Sequence, residues 1–492
     1  MARLLTQNIN IPITLRVLGI LLIIEAAFMA LPTGVSVFYG ETSTALAFLI
    51  TLLVTFSAGA IMTFGIKPKS LSMRKRESLI LTASIWVIFS LFGMIPFMAT
   101  GTLDNPVDAF FETMAGFTTT GSSTIADLDV LPKGLLFWRA LMQWIGGMGI
   151  ILFTLAVLPM LNYKGGIALF NAEVTGITHE RLRPRVSQTA KDLWLIYVVL
   201  TILLALLLVP PMGWFDGMCH ALTTMSTGGL STKNEGINYW HSHYVYLVMS
   251  VFMFLGGINF TLVFHLVTGR FRRIVASDTF KWYFGVTVVS ILLIVACMSY
   301  NGLCDNTADR WVLAIFDTIA AITSAGYASV DYETKGQFIT LVLMILMFFG
   351  GMAGSTSGGA KIDRFIVMIK NTNNEFYRIL HSNSVKTVRI EGRAIPHQVV
   401  AKVIAFLSIY MMVMVMVTLL LTMMGIPLFD ALYTSVSAIS NQGIGYGVTA
   451  ASGAFGLLPD AAKLLLAFEM LVGRLELFTV LVLFTRTFWI KD

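Results

Sequence analysis

Apolar runs long enough to cross a bilayer, separated by short polar breaks, set the plan of the chain. Two come first, at about 11–32 and 44–66, joined by a short loop that holds Pro32 and Gly34. From residue 78 onward the pattern settles into a unit that recurs four times: an apolar run, a shorter amphipathic stretch, a turn of hydroxyl residues and glycine, and a second apolar run. In the first unit these are 78–100, 106–117, 118–123 and 134–160; in the second, 190–212, 214–225, the turn at Ser226 and 243–268. The third has 279–300, 309–322, the turn at Thr323 and 336–380, and the fourth has 396–424, 427–439, the turn at Ser440 and 460–486. The amphipathic stretches decide the reading. Twelve helical residues, as in 106–117, rise only about 18 Å, too little for a ~30 Å hydrocarbon core, so each stretch must dip in and turn back.

The expected fold is an all-α integral membrane protein: four pseudo-symmetric helix–pore helix–helix repeats around a central pore, preceded by two extra transmembrane helices. The corresponding boundaries are 1–77 for the leading helices, then 78–189, 190–278, 279–394 and 395–492 for the repeats. Composition agrees. Of 492 residues, 56% are apolar and 12% charged, and the mean hydropathy is +0.80, far outside the soluble range. Unbroken runs of this length exclude a β-barrel, which alternates apolar and polar positions. The first run contains Glu25 and lacks a cleavage signature, so it reads as a retained helix.

Charge then orients the chain. Lysine and arginine gather at Arg3 and Arg16, in 67–77, 161–192, 269–281 and 361–402, and at Arg486 and Lys491. The positive-inside rule makes those segments, and both termini, cytoplasmic. The intervening loops carry Glu41, Asp104, Asp108, Asp127, Asp129, Asp305, Asp331 and Glu333. As solvated loop charges these need no function, and collectively they could raise the cation concentration at an outer mouth. The net charge of +6 is thus spread over membrane-flanking loops and does not imply nucleic acid. The basic segments contact anionic headgroups by default, and docking of a cytosolic partner on the same residues is compatible with that.

The candidate chemistry lies in the turns. They read Thr118–Thr119–Thr120–Gly121, Ser226–Thr227–Gly228–Gly229, Thr323–Ser324–Ala325–Gly326 and Ser440–Asn441–Gln442–Gly443. Non-helical backbone at membrane depth survives only where it is buried in protein or lines water. Glycine at the end of each turn permits φ > 0 and lets successive carbonyls point inward, and the hydroxyls of Thr118, Ser226, Thr323 and Ser440 can add ligands at the inner edge. A ring of uncharged oxygens replaces the hydration shell of potassium. Asp108, Asp216 and Asp430 stand at one shared offset before the turn glycines, whereas the third unit has Leu313 there. Gly146–Gly147, Gly256–Gly257, Gly350–Gly351 and a lone Gly473 mark the returning runs, where small residues also serve close helix packing.

The strings FTTTGSS, STGGLST, TSAGY, SNQGIGYG, GGMAGSTSGGAK and LVGRLELFTVLVLF resemble the Trk/Ktr/HKT superfamily of potassium transporters over essentially the whole chain. The two leading spans make it similar to the TrkH type. That resemblance implies a single-chain pseudo-tetrameric pore, a homodimer in the bacterial cytoplasmic membrane, and a cytosolic TrkA-like regulatory subunit. The potassium ion is the expected cargo, and NAD or ATP/ADP is expected on the regulatory partner alone. Glycine in all four turns matches the potassium-selective pattern; serine in the first is associated with sodium-preferring plant relatives. A carrier with alternating access, symporting sodium or protons with potassium, is the alternative.

Two further features acquire roles through that resemblance. The stretch Gly350, Gly351, Met352, Ala353, Gly354, Ser355, Thr356, Ser357, Gly358, Gly359, Ala360, Lys361 breaks an apolar run. It fails as a phosphate-binding loop because Ala360 stands where the lysine must be. The resemblance makes it an intramembrane gate beneath the filter, with Lys361 near its cytoplasmic end; no comparable insertion is expected in the other returning runs. Arg474 follows the glycine landmark of the fourth unit, where Met148, Ile258 and Met352 stand in the others. Its expected role is a positive barrier below the filter, the structural alternative being a pair with Glu469 or Glu476. His241 and His243 lack partners at zinc-ligand spacing, and Cys219, Cys297 and Cys304 form no disulfide framework. No nucleophile–base pair or carboxylate pair stands out, so no enzyme is expected.

Overall fold

The computed structural model describes residues 9–68, 73–148, 186–304, 306–329, 336–381, 384–450 and 453–489. The first returning run beyond 148, the basic segment 161–185, Asp305, Asp331, Glu333 and the chain ends Arg3 and Lys491 lie outside the described residues.

Helices dominate. The leading pair is α1 (Ile11–Phe38) and α2 (Thr42–Gly65). They pack through small residues: a β-carbon on Gly19 would lie 2.7 Å from the Gly59 carbonyl, and one on Gly59 at the same distance from the Gly19 carbonyl, the close approach that membrane helices use where apolar side chains gain nothing over lipid. The loop expected around Pro32 and Gly34 is absent; α1 runs through Pro32 and turns at Tyr39–Glu41. A proline is tolerated in a membrane helix where hydroxyls satisfy nearby carbonyls, and Thr33 Oγ1 donates to Met29 O at 2.8 Å. The outward face of α2 leaves Leu46, Leu53, Ile61 and Phe64 exposed, a surface suited to lipid.

Four units follow. The first has α3 (Lys75–Gly93), the short α4 (Pro106–Phe117) and α5 (Lys133–Gly147). The second has α6 (Val186–Met212), α7 (Trp214–Met225) and a return split into α8 (His243–Gly256) and α9 (Phe260–Val267), bent by 113°. The third has α10 (Asp278–Tyr300), α11 (Thr307–Ile322) and a return split into α12 (Gln337–Phe349) and α13 (Ile362–Leu380). The fourth has α14 (His397–Met423), α15 (Leu428–Ile439) and α16 (Asp460–Arg474). A two-residue hairpin, Arg389–Ile390 with Arg393–Ala394, precedes α14. Six helices are long and apolar enough to span among the described residues, or seven if α8 and α9 count as one broken span.

The short helices are held at both ends. Each has an aspartate in its first turn (Asp108, Asp216, Asp309 and Asp430), where the helix dipole favours negative charge. This accounts for the missing acid at Leu313. Helix α11 has 16 residues against 12 in the other three, so its acid sits one turn earlier, at Asp309. The other end of each helix is buried and leads into a turn.

Candidate functional site

All four turns have one backbone conformation. Their second residues lie at positive φ (Thr119 56°, Thr227 53°, Ser324 50°, Asn441 54°), as do their fourth (Gly121 88°, Gly229 78°, Gly326 76°, Gly443 77°). The second position is a helix cap that the sequence reading missed. In the first unit the Thr119 N–H bonds to Gly116 O at 3.1 Å and the Thr120 N–H to Ala115 O at 2.9 Å. The same two bonds recur from Thr227 and Gly228, from Ser324 and Ala325, and from Asn441 and Gln442. This is the Schellman pattern, normally built on glycine. Its use with threonine, a β-branched residue disfavoured at positive φ, means that the surroundings enforce the conformation. Alternating right- and left-handed residues turn successive peptide planes, so consecutive carbonyls can leave the strand on one side.

The turns also meet in a closed order. A β-carbon on Gly121 would collide with the Gly228 carbonyl, one on Gly229 with Ala325 O, one on Gly326 with Gln442 O, and one on Gly443 with Thr120 O. Each unit therefore abuts the next through a turn glycine and a third-position carbonyl, and the fourth returns to the first. Side chains add cross-links: Asn441 Nδ2 donates to Thr120 Oγ1 at 3.0 Å and Gln442 Nε2 to Ala320 O at 3.1 Å. The first-position hydroxyls donate backward into their own helices, Thr118 to Met114 O at 2.6 Å, Ser226 to Thr223 O at 3.1 Å, Thr323 to Ile319 O at 2.7 Å and Ser440 to Val436 O at 2.5 Å. Committing the proton to backbone leaves lone-pair capacity for a cation, although Thr118 Oγ1 also accepts from Thr120 Oγ1 at 2.8 Å.

On one side the four turn glycines line a single mouth of about 570 Å³. Its outgoing strands are pinned by a second register of polar residues, one helical turn beyond the acids of the 12-residue helices and unnoticed in the sequence. Glu112 accepts from the Thr124 N–H at 2.8 Å, His220 bonds Ser231 Oγ at 3.1 Å, Asp317 accepts from the Ser329 N–H at 2.9 Å, and Thr434 bonds Thr449 Oγ1 at 3.2 Å. Glu112 is further paired with Arg139 at 2.8 Å, both side chains buried. Among the described residues, none of Glu41, Asp104, Asp108, Asp127 and Asp129 lines this mouth; its charged lining residues are Arg139, Lys233 and Glu235. Asp108 pairs with Lys463, and Asn234 bridges Asp127 at 2.8 Å and Asp129 at 2.9 Å. The Asn234 hydrogen bond holds the Asp127 carboxyl below its ordinary range.

On the opposite side the units differ. A β-carbon on Gly146, Gly256 or Gly473 would contact the last carbonyl of its own short helix, that of Phe117, Met225 or Ile439. The following residues Gly147 and Gly257 face Ser226 and Thr323, the first turn residues of the next units. Arg474 therefore occupies the place of Gly147 and Gly257, not that of Met148 and Ile258. Breaks of the returning run are shared as well: besides the stretch after Phe349, the second run breaks at Gly257–Asn259 and the fourth after Arg474, with Glu476 and Leu477 at positive φ. Among the described residues, what distinguishes the third unit is the length of its insertion.

That insertion lies against the turns. The Gly359 N–H donates to Ser440 O at 3.0 Å, the Gly358 N–H donates to Ser324 Oγ, and Thr227 Oγ1 meets Thr356 Oγ1 at 3.4 Å. Its far side is tied to the break in the second unit, with the Met352 N–H on Gly257 O at 2.9 Å, the Phe260 N–H on Gly354 O at 3.0 Å and Asn259 Nδ2 on Ala353 O at 2.7 Å. Gly350 and Gly351 hold its base, where the Ile362 N–H donates to Gly351 O at 3.0 Å. Buried Lys361 folds back onto Ser357 O, beside Ser355, which bonds Ser357 Oγ at 2.7 Å. Arg474 donates to Thr356 O and to Gly146 O, each at 2.9 Å, bridging the insertion to the end of α5. Glu476 pairs with Arg364, and Glu469 accepts from Ser435 at 2.7 Å.

Comparison with known proteins gives a consistent picture. A family model described as TrkH, cation transport protein, matches residues 45–489. The Trk system potassium uptake protein TrkH of Salmonella typhimurium is 34% identical over 478 residues, 96% of this chain and 98% of that protein. The protein of the same name from Halomonas elongata is 33% identical over 482 residues, 97% of this chain and 99% of its own length. The crystal structure of the potassium transporter TrkH from Vibrio parahaemolyticus matches with a TM-score of 0.88 at 31% identity, covering 98% of this chain and 100% of that chain.

Proposed function

The chain belongs to the TrkH family of cation transport proteins, and from that premise we propose that it takes up potassium through the ring of four turns. The observation that carries this reading is the closed order of glycine against carbonyl, from Gly121 and Gly228 round to Gly443 and Thr120. Four carbonyl-bearing strands of one conformation, buried within the protein and open to one mouth, offer an alkali cation a cage of neutral oxygens. The ion enters from the mouth, sheds water among the carbonyls of residues 118–121, 226–229, 323–326 and 440–443, and leaves past the insertion.

The insertion from Gly350 to Lys361 acts as the gate. It hydrogen-bonds to turn residues of the third and fourth units and abuts the second, so in this position it obstructs the way out. Arg474 latches it and places a guanidinium on the path, a barrier to cations while the latch holds. An inside-negative potential contributes about 2.3 kcal/mol per ion per 100 mV, so uptake needs no hydrolysis by this chain. The mouth faces outward and both termini face the cytoplasm of a bacterial inner membrane. There the chain pairs with a second copy and a cytosolic nucleotide-binding subunit of the TrkA kind moves the insertion.

The test is rubidium and sodium uptake into liposomes holding the purified chain, run beside its Arg474→Ala form, with an imposed potential and without. Rubidium should enter in proportion to the potential, ahead of sodium, with no need for a sodium or proton gradient. Uptake no greater than in empty liposomes for both forms, or strict dependence on a second ion gradient, would overturn the reading.

A further inference from the structure

Behind one of the four turns stands a brace with no counterpart at the other three among the described residues. Gln143, on α5 of the first unit, is fully buried. Its Nε2 donates to the Gly228 carbonyl at 2.5 Å, and its Oε1 accepts from the Leu230 N–H at 3.1 Å. These are the main-chain groups on either side of Gly229, so one side chain pairs with the turn as a neighbouring strand would. The Gly228 carbonyl is also the oxygen that Gly121 faces in the closed ring. The equivalent carbonyls of Thr120, Ala325 and Gln442 face Gly443, Gly229 and Gly326 without a side-chain donor among the described residues.

The second unit is where a brace matters most. Its turn alone has glycine at both the third and the fourth position. A peptide between two glycines has no β-carbon on either side to resist rotation, so its carbonyl can swing away from the ring most easily. The two features are coupled in space, because a β-carbon on Gly228 would run into the Gln143 amide, with Nε2 at 2.7 Å. Glycine at 228 makes room for the brace, and the brace restores the stiffness that glycine removes.

We propose that Gln143 is a positioning residue that holds the Gly228 carbonyl in the ring and so sets how strongly the pore prefers potassium over sodium. The inference rests on the four turns being an ion filter. A filter discriminates by the number and field of the carbonyls it keeps on the ion; one free to swing out lowers that number and admits the smaller ion.

The experiment compares rubidium with sodium uptake in liposomes for the wild type, Gln143→Leu and Gln143→Ala. The rubidium-to-sodium ratio should fall by about tenfold in each, the scale of one well-made hydrogen bond. A ratio does not depend on how much protein folds, so loss of stability alone leaves it unmoved. Adding Gly228→Ala to Gln143→Ala refills the space and stiffens the turn, and should bring the ratio back toward wild type. Variants with the wild-type ratio, or a double variant no more selective than Gln143→Ala, overturn the proposal. A wild type that passes no rubidium instead defeats the filter reading beneath it.

Discussion

The ring of turns and the layer beneath it are built on opposite principles. In the ring, four dissimilar strings (TTTG, STGG, TSAG and SNQG) adopt one backbone conformation and make one kind of contact with the next unit. In the layer beneath, equivalent places hold different things: Gly147 against Ser226, Gly257 at a bend, a long insertion after Phe349, and Arg474. A symmetric ion needs only main-chain oxygens at equal positions, so side chains in the ring are free to vary once the conformation is secured. A gate of the kind proposed above needs a unique moving part, and uniqueness requires breaking the fourfold pattern.

The strongest way to break the ring is to add one methyl group. Gly326→Ala places a β-carbon against Gln442 O at a φ of 76°. With a strain of ~1–3 kcal/mol it should lower rubidium uptake by up to about 100-fold; near-normal uptake would mean that ions do not pass there. Removing the unique part acts in the opposite direction. Deleting Gly354–Gly358 should raise uptake by about tenfold without any regulatory partner, the shift of ~1.4 kcal/mol that one or two lost hydrogen bonds bring. Unchanged flux would deny the insertion a gating role.

Arg474→Ala removes the ties to Thr356 O and Gly146 O but leaves the insertion in place. On the proposed reading it should therefore raise conductance by less than the deletion, about threefold, as expected for loss of one of several ties; a fall with normal expression would contradict the proposed barrier. The smallest effect is expected from the loop that carries Asp127 and Asp129. Asp127→Asn and Asp129→Asn should change uptake by less than about twofold, because these acids are engaged with Asn234 and do not line the mouth. A larger loss that is relieved by salt would restore a role for acid focusing.

Much of this plan was legible in the chain because its causes are local. The short helices Pro106–Phe117 and Trp214–Met225 begin and end where the sequence placed them, since their length, early acid and terminal turn are written in adjacent residues. The fourth-position glycines declared themselves for the same reason. The positive φ of Thr119 and Asn441 did not: a helix cap built without glycine leaves no compositional trace. The bend at Gly257–Asn259 was equally silent, because apolar residues continue on both sides of it. Gln143 and Glu112 act on partners far along the chain, Gly228 and Arg139, and a single sequence gives no sign of such pairings. Leu313 misled because the third short helix is one turn longer, which shifts the register without changing the rule.

The closed order of the turns bears on how such a protein is made. Because each unit abuts its successor and the last abuts the first, the contact between Gly443 and Thr120 cannot form until the fourth unit has left the ribosome. A nascent chain three units long therefore has a ring with one flank open in place of a closed one. If the ring is the ion path proposed above, synthesis withholds it until the final stages, and chains abandoned early should leave the membrane tight.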